Sequence, residues 1–231
     1  MSRRRVSSCS TALEGTRVVA SCVGPYSELG WQVAQATLDA GAHYVDVSGE
    51  PEWVLRLRND IDIRARAQSQ VFVPACGASA ALGDVAARFA VADATGPVRS
   101  VDIVYRVSGL RPSPATAASY AHIFAGRAIH VRAAQPWPRA VGSSRRGLPG
   151  CTGFDLPVCD PLVISRWLDS AEVSGYVAAP AAAVTRHLAR VERGVASPGG
   201  PPALGVGLPP TGVGGGTQRS VDCRRDRIHI H

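Results

Sequence analysis

Short apolar runs alternate with helical periods along the first half of the chain. Runs rich in β-branched residues predict three buried strands, at Arg17–Val23, His43–Val47 and Val71–Ala75. Apolar side chains at helical spacing predict the helices that follow them, at Leu29–Ala40, Glu52–Ala67 and Gly83–Ala92. Strands and helices that alternate with short joints are typical of a parallel sheet with right-handed crossovers. We therefore expect an α/β fold.

The pattern changes near residue 100. Val98–Val107 alternates apolar and polar residues, which predicts a half-exposed strand of the kind found in antiparallel sheets. Beyond it we expect a helix at Pro114–Ala125, a short strand at Ala128–Arg132 and mostly loop over residues 133–160.

Two more helices are predicted in the second half. One is Asp160–Ala171, with Pro161 in its first turn, and the other is Ala178–Val195. From Ser197 onward Pro and Gly are too frequent for a packed element, so we expect a disordered tail.

The composition argues against nucleic-acid binding, a metal site and a membrane span. The net charge is +7, and every basic residue is arginine, which favours coding bias over nucleic-acid binding because no basic stripe with aromatics is present. Six cysteines show no CxxC pair and no metal-ligand spacing, so no metal site is predicted. Cys22 and Cys76 lie in apolar runs, where a thiol behaves as a small hydrophobe. With no signal-peptide core and no apolar run of ~20 residues, we expect a cytoplasmic protein without a membrane span.

Each predicted strand ends in a turn that contains glycine. These turns are Val23–Tyr26, Val47–Pro51 and Ala75–Ser79, and Asp46 is expected to cap or orient the turn at Gly49. Ligands of open parallel sheets bind at the carboxyl ends of the strands, and glycine lets a ligand approach the backbone closely. The three turns together therefore indicate a binding edge.

The run VVASCVGPYSELGWQVAQATLDAGAHYVDVSGEPEWV resembles the saccharopine-dehydrogenase-like family of oxidoreductases. It has a strand that ends in VGPY, a glycine soon afterwards, a helix that ends in AG, and then HYVD and GE. The matching residues are Val23, Gly24, Pro25, Tyr26, Gly30, Ala40, Gly41, His43, Tyr44, Val45, Asp46, Gly49 and Glu50. Residues 160–178 are similar to the actinobacterial branch that includes trans-acting enoyl reductases, and the resemblance covers roughly residues 12–196.

The resemblance implies a fold and an activity. It implies an incomplete Rossmann parallel sheet in residues 1–97, a small α+β substrate or dimerisation region in 98–196, and a loose tail in 197–231. The implied activity is hydride transfer with NADP or NAD as cofactor, with enoyl reduction as one form of it. The implied partners are a small-molecule or acyl substrate and no nucleic acid, and a homodimer is left open.

The resemblance also implies site residues. The cofactor-binding candidates are Gly24, Pro25, Tyr26, Ser48, Gly49, Cys76 and Gly77. The residues that would supply a proton after hydride transfer are Tyr26 or Glu50.

The chain departs from the family in three places. The chain before Arg17 is too short for the β-α units that precede this strand in the family, and it lacks their glycine-rich phosphate turn. Ala78 and Ser79 stand where relatives carry an aromatic residue and an aspartate, and the last residues match no finishing element. The expectation is a chain truncated at both ends, with impaired activity.

Two alternatives remain open. The chain could be a non-catalytic remnant or pseudoenzyme whose exposed strand edges associate with other chains. More distantly, the strand before Gly77-Ala78-Ser79-Ala80-Ala81 is also typical of the nucleophile turn of an α/β serine hydrolase. That reading needs a histidine partner, for which His122, His130 and His187 are available.

Overall fold

A computed structural model describes most of the chain, namely residues 12–106, 127–133, 135–140, 145–148, 151–155, 157–168, 171–179, 221–224 and 227–230. The described residues form two β-sheets with helices, which is an α/β fold as predicted. None of the helices in these ranges is long and apolar enough to cross a membrane.

The first sheet has three parallel strands, β1 (Val18–Ser21), β2 (His43–Asp46) and β3 (Phe72–Val73), in the order β1-β2-β3. The prediction of three consecutive parallel strands is therefore confirmed. The helices that follow these strands are α1 (Tyr26–Asp39), α2 (Pro51–Asp60), α3 (Asp62–Ala67) and α4 (Ala78–Ala92). The helix predicted over 52–67 is divided at Ile61, and α4 begins closer to its strand than predicted.

One face of this sheet is covered by α1, α2 and α3. Tyr44 of β2 packs there with Leu38, Trp53 and Ile61 in an apolar cluster. Gly30 of α1 makes this packing possible, because a Cβ at residue 30 would lie 2.9 Å from Cζ2 of Trp53. The helix therefore rests directly on the indole ring.

The opposite face of the same sheet carries exposed valines and is not covered by any described element. Four valines on or next to the strands of this sheet are 43% to 56% exposed: Val18, Val47, Val71 and Val73. The strand β1 also pairs only with β2 among the described strands. Parallel sheets usually have both faces covered, so this face and edge depart from the common arrangement.

The second sheet is mixed. Its strands are β4 (Ser100–Arg106), β5 (Arg127–Arg132), β6 (Gln135–Ala140), β7 (Arg145–Leu148), β8 (Cys151–Asp155), β9 (Glu172–Ala179), β10 (Val221–Arg224) and β11 (Arg227–Ile230), and the short helix α5 (Asp160–Ile164) lies between β8 and β9 in the chain. The strand order is β10-β11-β4-β9-β5-β6, and β8 pairs with both β7 and β9. The predicted strand at Ala128–Arg132 is confirmed as β5.

The prediction for Val98–Val107 was wrong about pairing and exposure. The strand β4 pairs in parallel with β9 and with β11. Both of its faces are buried, with Val101 and Ile103 on one side and Asp102 on the other. Ser100 and Asp102, whose polarity indicated solvent exposure, are buried polar residues of a central strand.

The loop predicted over residues 133–160 was also wrong, because β6, β7 and β8 lie there. Pro136 and Pro138 obscured β6 in the sequence. They are tolerated because β6 lies at the end of the strand order, where a missing backbone N–H costs no ladder hydrogen bond on the outer side.

Three further predictions changed toward the C-terminus. The helix that begins at Asp160 ends at Ile164 rather than Ala171, and residues 178 and 179 belong to β9 rather than to a helix. The rest of the predicted helix to Val195, like the one at Pro114–Ala125, lies outside the described residues. The expectation of a disordered tail was wrong for β10 and β11, which form a hairpin joined to β4. The remainder of that tail lies outside the described residues.

The two sheets share a core through α4 and α5. Ala87 and Ala90 of α4 pack with Val101 and Ile103 of β4 and with Ile164 of α5. Nearer the carboxyl edge of the first sheet, the side chains that pack together are Ala75, Ala80, Cys159, Val54 and Val163. The helix α5 therefore packs with the start of α4 and with the turn after β3.

Candidate functional site

Asp46, the last residue of β2, joins two of the three strand-end turns. Its Oδ1 accepts hydrogen bonds from the backbone nitrogens of Ser48 (2.9 Å) and Ala75 (2.8 Å). Its Oδ2 accepts from the Tyr44 hydroxyl (2.9 Å) and from Nε1 of Trp53 (2.7 Å). These four donors compensate the carboxylate, which is only 1% exposed. The expectation that Asp46 orients the turn after β2 is confirmed, and its reach to Ala75 was not foreseen.

The turn after β3 lies against the turn after β2. The backbone nitrogen of Cys76 donates to the Asp46 carbonyl over 2.8 Å. A Cβ at Gly77 would lie 3.0 Å from the Val47 carbonyl oxygen, so glycine permits this close approach. The structure therefore brings Ser48 and Gly49 together with Cys76 and Gly77, as one binding edge requires.

Glu50 joins the third turn to this pair. Its Oε1 accepts a hydrogen bond from the backbone nitrogen of Tyr26 (2.7 Å), and its Oε2 accepts from that of Ser27 (2.8 Å). The carboxylate is 4% exposed and caps the first turn of α1, where negative charge is favoured by the helix dipole. The next two nitrogens, of Glu28 and Leu29, donate to the Pro25 carbonyl. The start of α1 thus has its free N–H groups satisfied within the protein, which leaves none for a phosphate.

Tyr26, the last residue of the VGPY turn, has a buried side chain. Its hydroxyl donates to the Ser21 carbonyl over 2.8 Å, and its ring lies 6.3 Å from that of Trp53. Burial, and then the negative charge of Asp46, raise the pKa of Tyr26 to about 12. The phenol therefore keeps its proton at neutral pH.

Small residues form the outer surface of the edge. Gly24, Pro25, Gly49 and Gly77 are partly exposed between the turns. The hydroxyl oxygen of Ser48 is buried and has no hydrogen-bond partner among the described residues. A buried hydroxyl without a partner costs about 1–3 kcal/mol, and a ligand that supplies one would recover it.

Two thiols flank this surface. Cys22 and Cys76 are free and exposed, so the expectation that each behaves as a small hydrophobe within an apolar run was wrong. The strand β1 ends at Ser21, earlier than predicted, so Cys22 lies in the turn after it, and Cys76 lies in the turn after β3 where the sequence placed it.

The described residues fit one half of a nicotinamide dinucleotide better than the other. Gly24, Gly49 and Gly77 leave space for a flat ring. The Ser48 hydroxyl, which has no partner among the described residues, suits the carboxamide of such a ring. The diphosphate has no counterpart in the described ranges, because Glu50 occupies the start of α1.

The sequence reasoning did not predict several polar contacts between distant segments. The Tyr105 hydroxyl lies 2.6 Å from Oδ1 of Asp160, and Nε2 of His130 lies 3.0 Å from Oδ1 of Asp155. Burial raises the pKa of Cys159 well above its usual value. Tyr105, Asp155, Cys159 and Asp160 belong to segments that had been predicted as half-exposed strand, loop or helix start, and His130 belongs to the short strand predicted at Ala128–Arg132. Within the described ranges, no group of three or more potential ligands is placed to hold a metal ion.

The serine hydrolase arrangement is not formed by the described residues. Ser79 is the second residue of α4, and in the described part of the chain no hydrogen bond joins it to a histidine. His130 faces Asp155 in the second sheet, while His122 and His187 lie outside the described residues.

Comparison with known proteins gives partial matches. A 62-residue stretch is 39% identical to a probable mitochondrial saccharopine dehydrogenase-like oxidoreductase of Arabidopsis thaliana, and it covers 27% of this chain and 14% of that protein. Part of this chain is similar to a saccharopine dehydrogenase-like oxidoreductase. An 85-residue stretch is 33% identical to a lipid droplet localized protein of Caenorhabditis elegans, over 37% of this chain and 20% of the relative. No family model matches the chain. The matched stretches span a fifth or less of these relatives' length.

Proposed function

We propose that the carboxyl edge of the β1–β2–β3 sheet is the nicotinamide side of an oxidoreductase site. Hydride would pass there between NADPH or NADH and a small-molecule or acyl substrate, and enoyl reduction in the cytoplasm is one form of this proposal. The observation that carries it is the linkage of all three glycine-containing turns by two buried carboxylates, Asp46 and Glu50. The partial similarity to a saccharopine dehydrogenase-like oxidoreductase supports the same class of chemistry.

In this proposal the turns supply shape and a few polar contacts. Gly24, Pro25, Gly49 and Gly77 leave room for the flat ring, and Cys76 borders it. The Ser48 hydroxyl has no partner among the described residues, and in this proposal it bonds to the carboxamide after its side chain rotates out of its buried position. The cofactor supplies the hydride chemistry when bound, and the protein orients the ring and keeps water from it.

The two proton-donor candidates differ in availability. Glu50 has both carboxylate oxygens bonded to backbone nitrogens, so we assign it a positioning role for the VGPY turn. Tyr26 carries a proton at neutral pH, since its pKa is raised to about 12. It can give that proton to a substrate only after its bond to the Ser21 carbonyl is exchanged for one to the substrate.

The second candidate is that the chain is a non-catalytic remnant. Two observations favour it: the exposed valine face of the first sheet, and the outer edge of β1, which pairs with no further strand among the described residues. Such an edge accepts another strand, which would produce a homodimer or larger assemblies. Light scattering over a range of concentrations distinguishes the cases. Ala20→Lys on β1 should reduce the mass of an edge-paired species, and an unchanged mass would exclude that pairing.

The test of the oxidoreductase proposal is a titration of the purified chain with NADPH and NADH, followed by intrinsic fluorescence and melting temperature. Ligand at about 100 Kd should raise the free energy of unfolding by about 2.7 kcal/mol. Ser48→Ala should weaken binding, whereas Ser27→Ala should not, because Ser27 contributes its backbone nitrogen to the Glu50 bond. Absence of any shift at millimolar cofactor would remove the proposal.

A further inference from the structure

The hydroxyl of Tyr105 on β4 lies between two oxygen atoms. It is 2.6 Å from Oδ1 of Asp160 and 2.8 Å from the carbonyl oxygen of Ser79. A phenol has one proton and can donate it to one of them. The Ser79 carbonyl has no proton to give. Both contacts are therefore hydrogen bonds only when the carboxyl group of Asp160 is protonated and donates to Tyr105.

The surroundings of Asp160 favour the neutral acid. Its side chain is fully buried, and Oδ2 has no hydrogen-bond partner in the described part of the chain. A carboxylate in this position would place charge on an oxygen that no donor compensates, whereas a neutral acid leaves only a carbonyl there. The carboxyl also lies directly on the backbone of α4, because a Cβ at Gly83 would overlap Oδ1 of Asp160.

The charged groups nearby do not stabilise an anion. Burial raises the pKa of Asp160 most strongly, the bonds from Tyr105 and from the backbone nitrogen of Asp160 lower it, and the negative charge of Asp84 on α4 raises it, with a net rise. The cation Arg88 is paired with Asp84 at 2.9 Å. Cys159, the residue before Asp160, is also ionisable, and it is buried with a raised pKa. Where α5 packs against β5 and β9, the side chains in the shared clusters are apolar: Ile129, Val131 and Val173.

We propose that Asp160 is a neutral carboxylic acid whose proton determines whether Tyr105 holds the first turn of α4. With the proton present, Oδ1–H of Asp160 donates to the Tyr105 oxygen, and Tyr105 donates to the Ser79 carbonyl. When the proton leaves to solvent, Tyr105 turns its hydrogen toward the Asp160 anion, and the Ser79 carbonyl loses the bond from Tyr105 while it keeps its bond within α4.

This arrangement makes Asp160 a positioning residue for the binding edge. Ser79 follows closely on Cys76 and Gly77, so loss of the Tyr105 bond removes a contact that holds the start of α4, next to the turn after β3, against β4. The consequence for cofactor binding rests on the proposed function. The protonation state of Asp160 does not, so it can be tested without a cofactor.

The first test compares the pH dependence of unfolding in wild type, Asp160→Asn and the control Asp93→Asn. An acid whose folded pKa lies above its unfolded pKa contributes stability that is complete below the unfolded pKa and is lost as pH rises through the folded pKa. As pH rises above the ordinary pKa of an aspartic acid and through the raised folded pKa, the wild-type folding equilibrium constant should fall relative to Asp160→Asn, about tenfold for each unit of pKa elevation. The amide that Asp160→Asn introduces donates to Tyr105 at every pH. Asp93 is exposed, so Asp93→Asn should follow wild type.

The second test observes the proton directly by infrared spectroscopy in D2O. At neutral pH the wild type should show the carbonyl band of a protonated carboxylic acid, which Asp160→Asn removes and Asp93→Asn retains. Tyr105→Phe should shift that band, because the acid loses its acceptor, and this variant identifies the band even if Asp160→Asn does not fold. A wild type without such a band, or with stability that rises against Asp160→Asn over the same pH range, would overturn the proposal.

Discussion

The carboxylate of Glu50 accepts a hydrogen bond from the backbone nitrogen of Tyr26 at 2.7 Å, across a sequence separation of 24 residues. This contact, with its neighbour to Ser27, fixes the VGPY turn against the turn after β2. Glu50, which the family resemblance suggested as a proton donor, therefore connects two loops by hydrogen bonds.

Glu50→Gln should destabilise the fold. The amide can accept one of the two backbone bonds, while its NH2 group faces the other donor, so we expect a loss of about 1–3 kcal/mol. Urea denaturation measures it. The control is Glu52→Gln, on the exposed side of α2, which should change stability by less than about 0.5 kcal/mol. Equal effects of the two substitutions would contradict the capping role.

Gly30→Ala should be costly although alanine favours helices. The added Cβ would lie 2.9 Å from Cζ2 of the buried Trp53, and overpacking of this kind costs about 1–3 kcal/mol. Thermal and urea unfolding give the value, and tryptophan fluorescence reports the displaced ring. Gly96→Ala is the matched control, since nothing lies within 4 Å of a Cβ there. A stabilised Gly30→Ala variant would show that α1 does not rest on Trp53.

The raised pKa of Tyr26 gives stability a dependence on alkaline pH. The folded pKa is about 12 against an ordinary 10.0, so the Tyr26 contribution is complete below the ordinary value and is lost as pH rises through the folded one. The wild type should therefore lose stability relative to Tyr26→Phe above about pH 10. Parallel curves for the two proteins in that range would refute the burial of this phenol.

Thiol reactivity should separate two classes of cysteine. Cys22 and Cys76 are exposed, whereas Cys159 is buried with a raised pKa, so it holds little thiolate. Iodoacetamide labelling followed by peptide mass spectrometry should modify the first two well before the third. Rapid labelling of Cys159 in the folded chain would show that the contact between α5 and the turn after β3 is open.

The sequence was most informative where contacts are local. The apolar runs and glycine turns located β1, β2, β3 and α1, and the resemblance placed the candidate residues on one edge. Contacts between distant segments carry no such signal. Tyr105 and Asp160 are 55 residues apart, and nothing in either segment indicates that they meet.

The second sheet was harder to predict for the same reason. Alternation in β4 indicated an exposed face, because a buried polar row and a solvated one have the same period. The strand β6 contains two prolines, and only its place at the end of the strand order explains them. Strand order depends on which segments pair, and local propensity does not determine it.

The most direct test of the central claim is amide chemical-shift mapping of the isotope-labelled chain during titration with NADPH. The account predicts saturable shifts at Ser48, Gly49, Cys76 and Gly77, reduced in Ser48→Ala, with exposed α3 amides such as that of Ile63 unchanged. Shifts confined to other surfaces, or none at millimolar NADPH, would contradict a nicotinamide site at this edge.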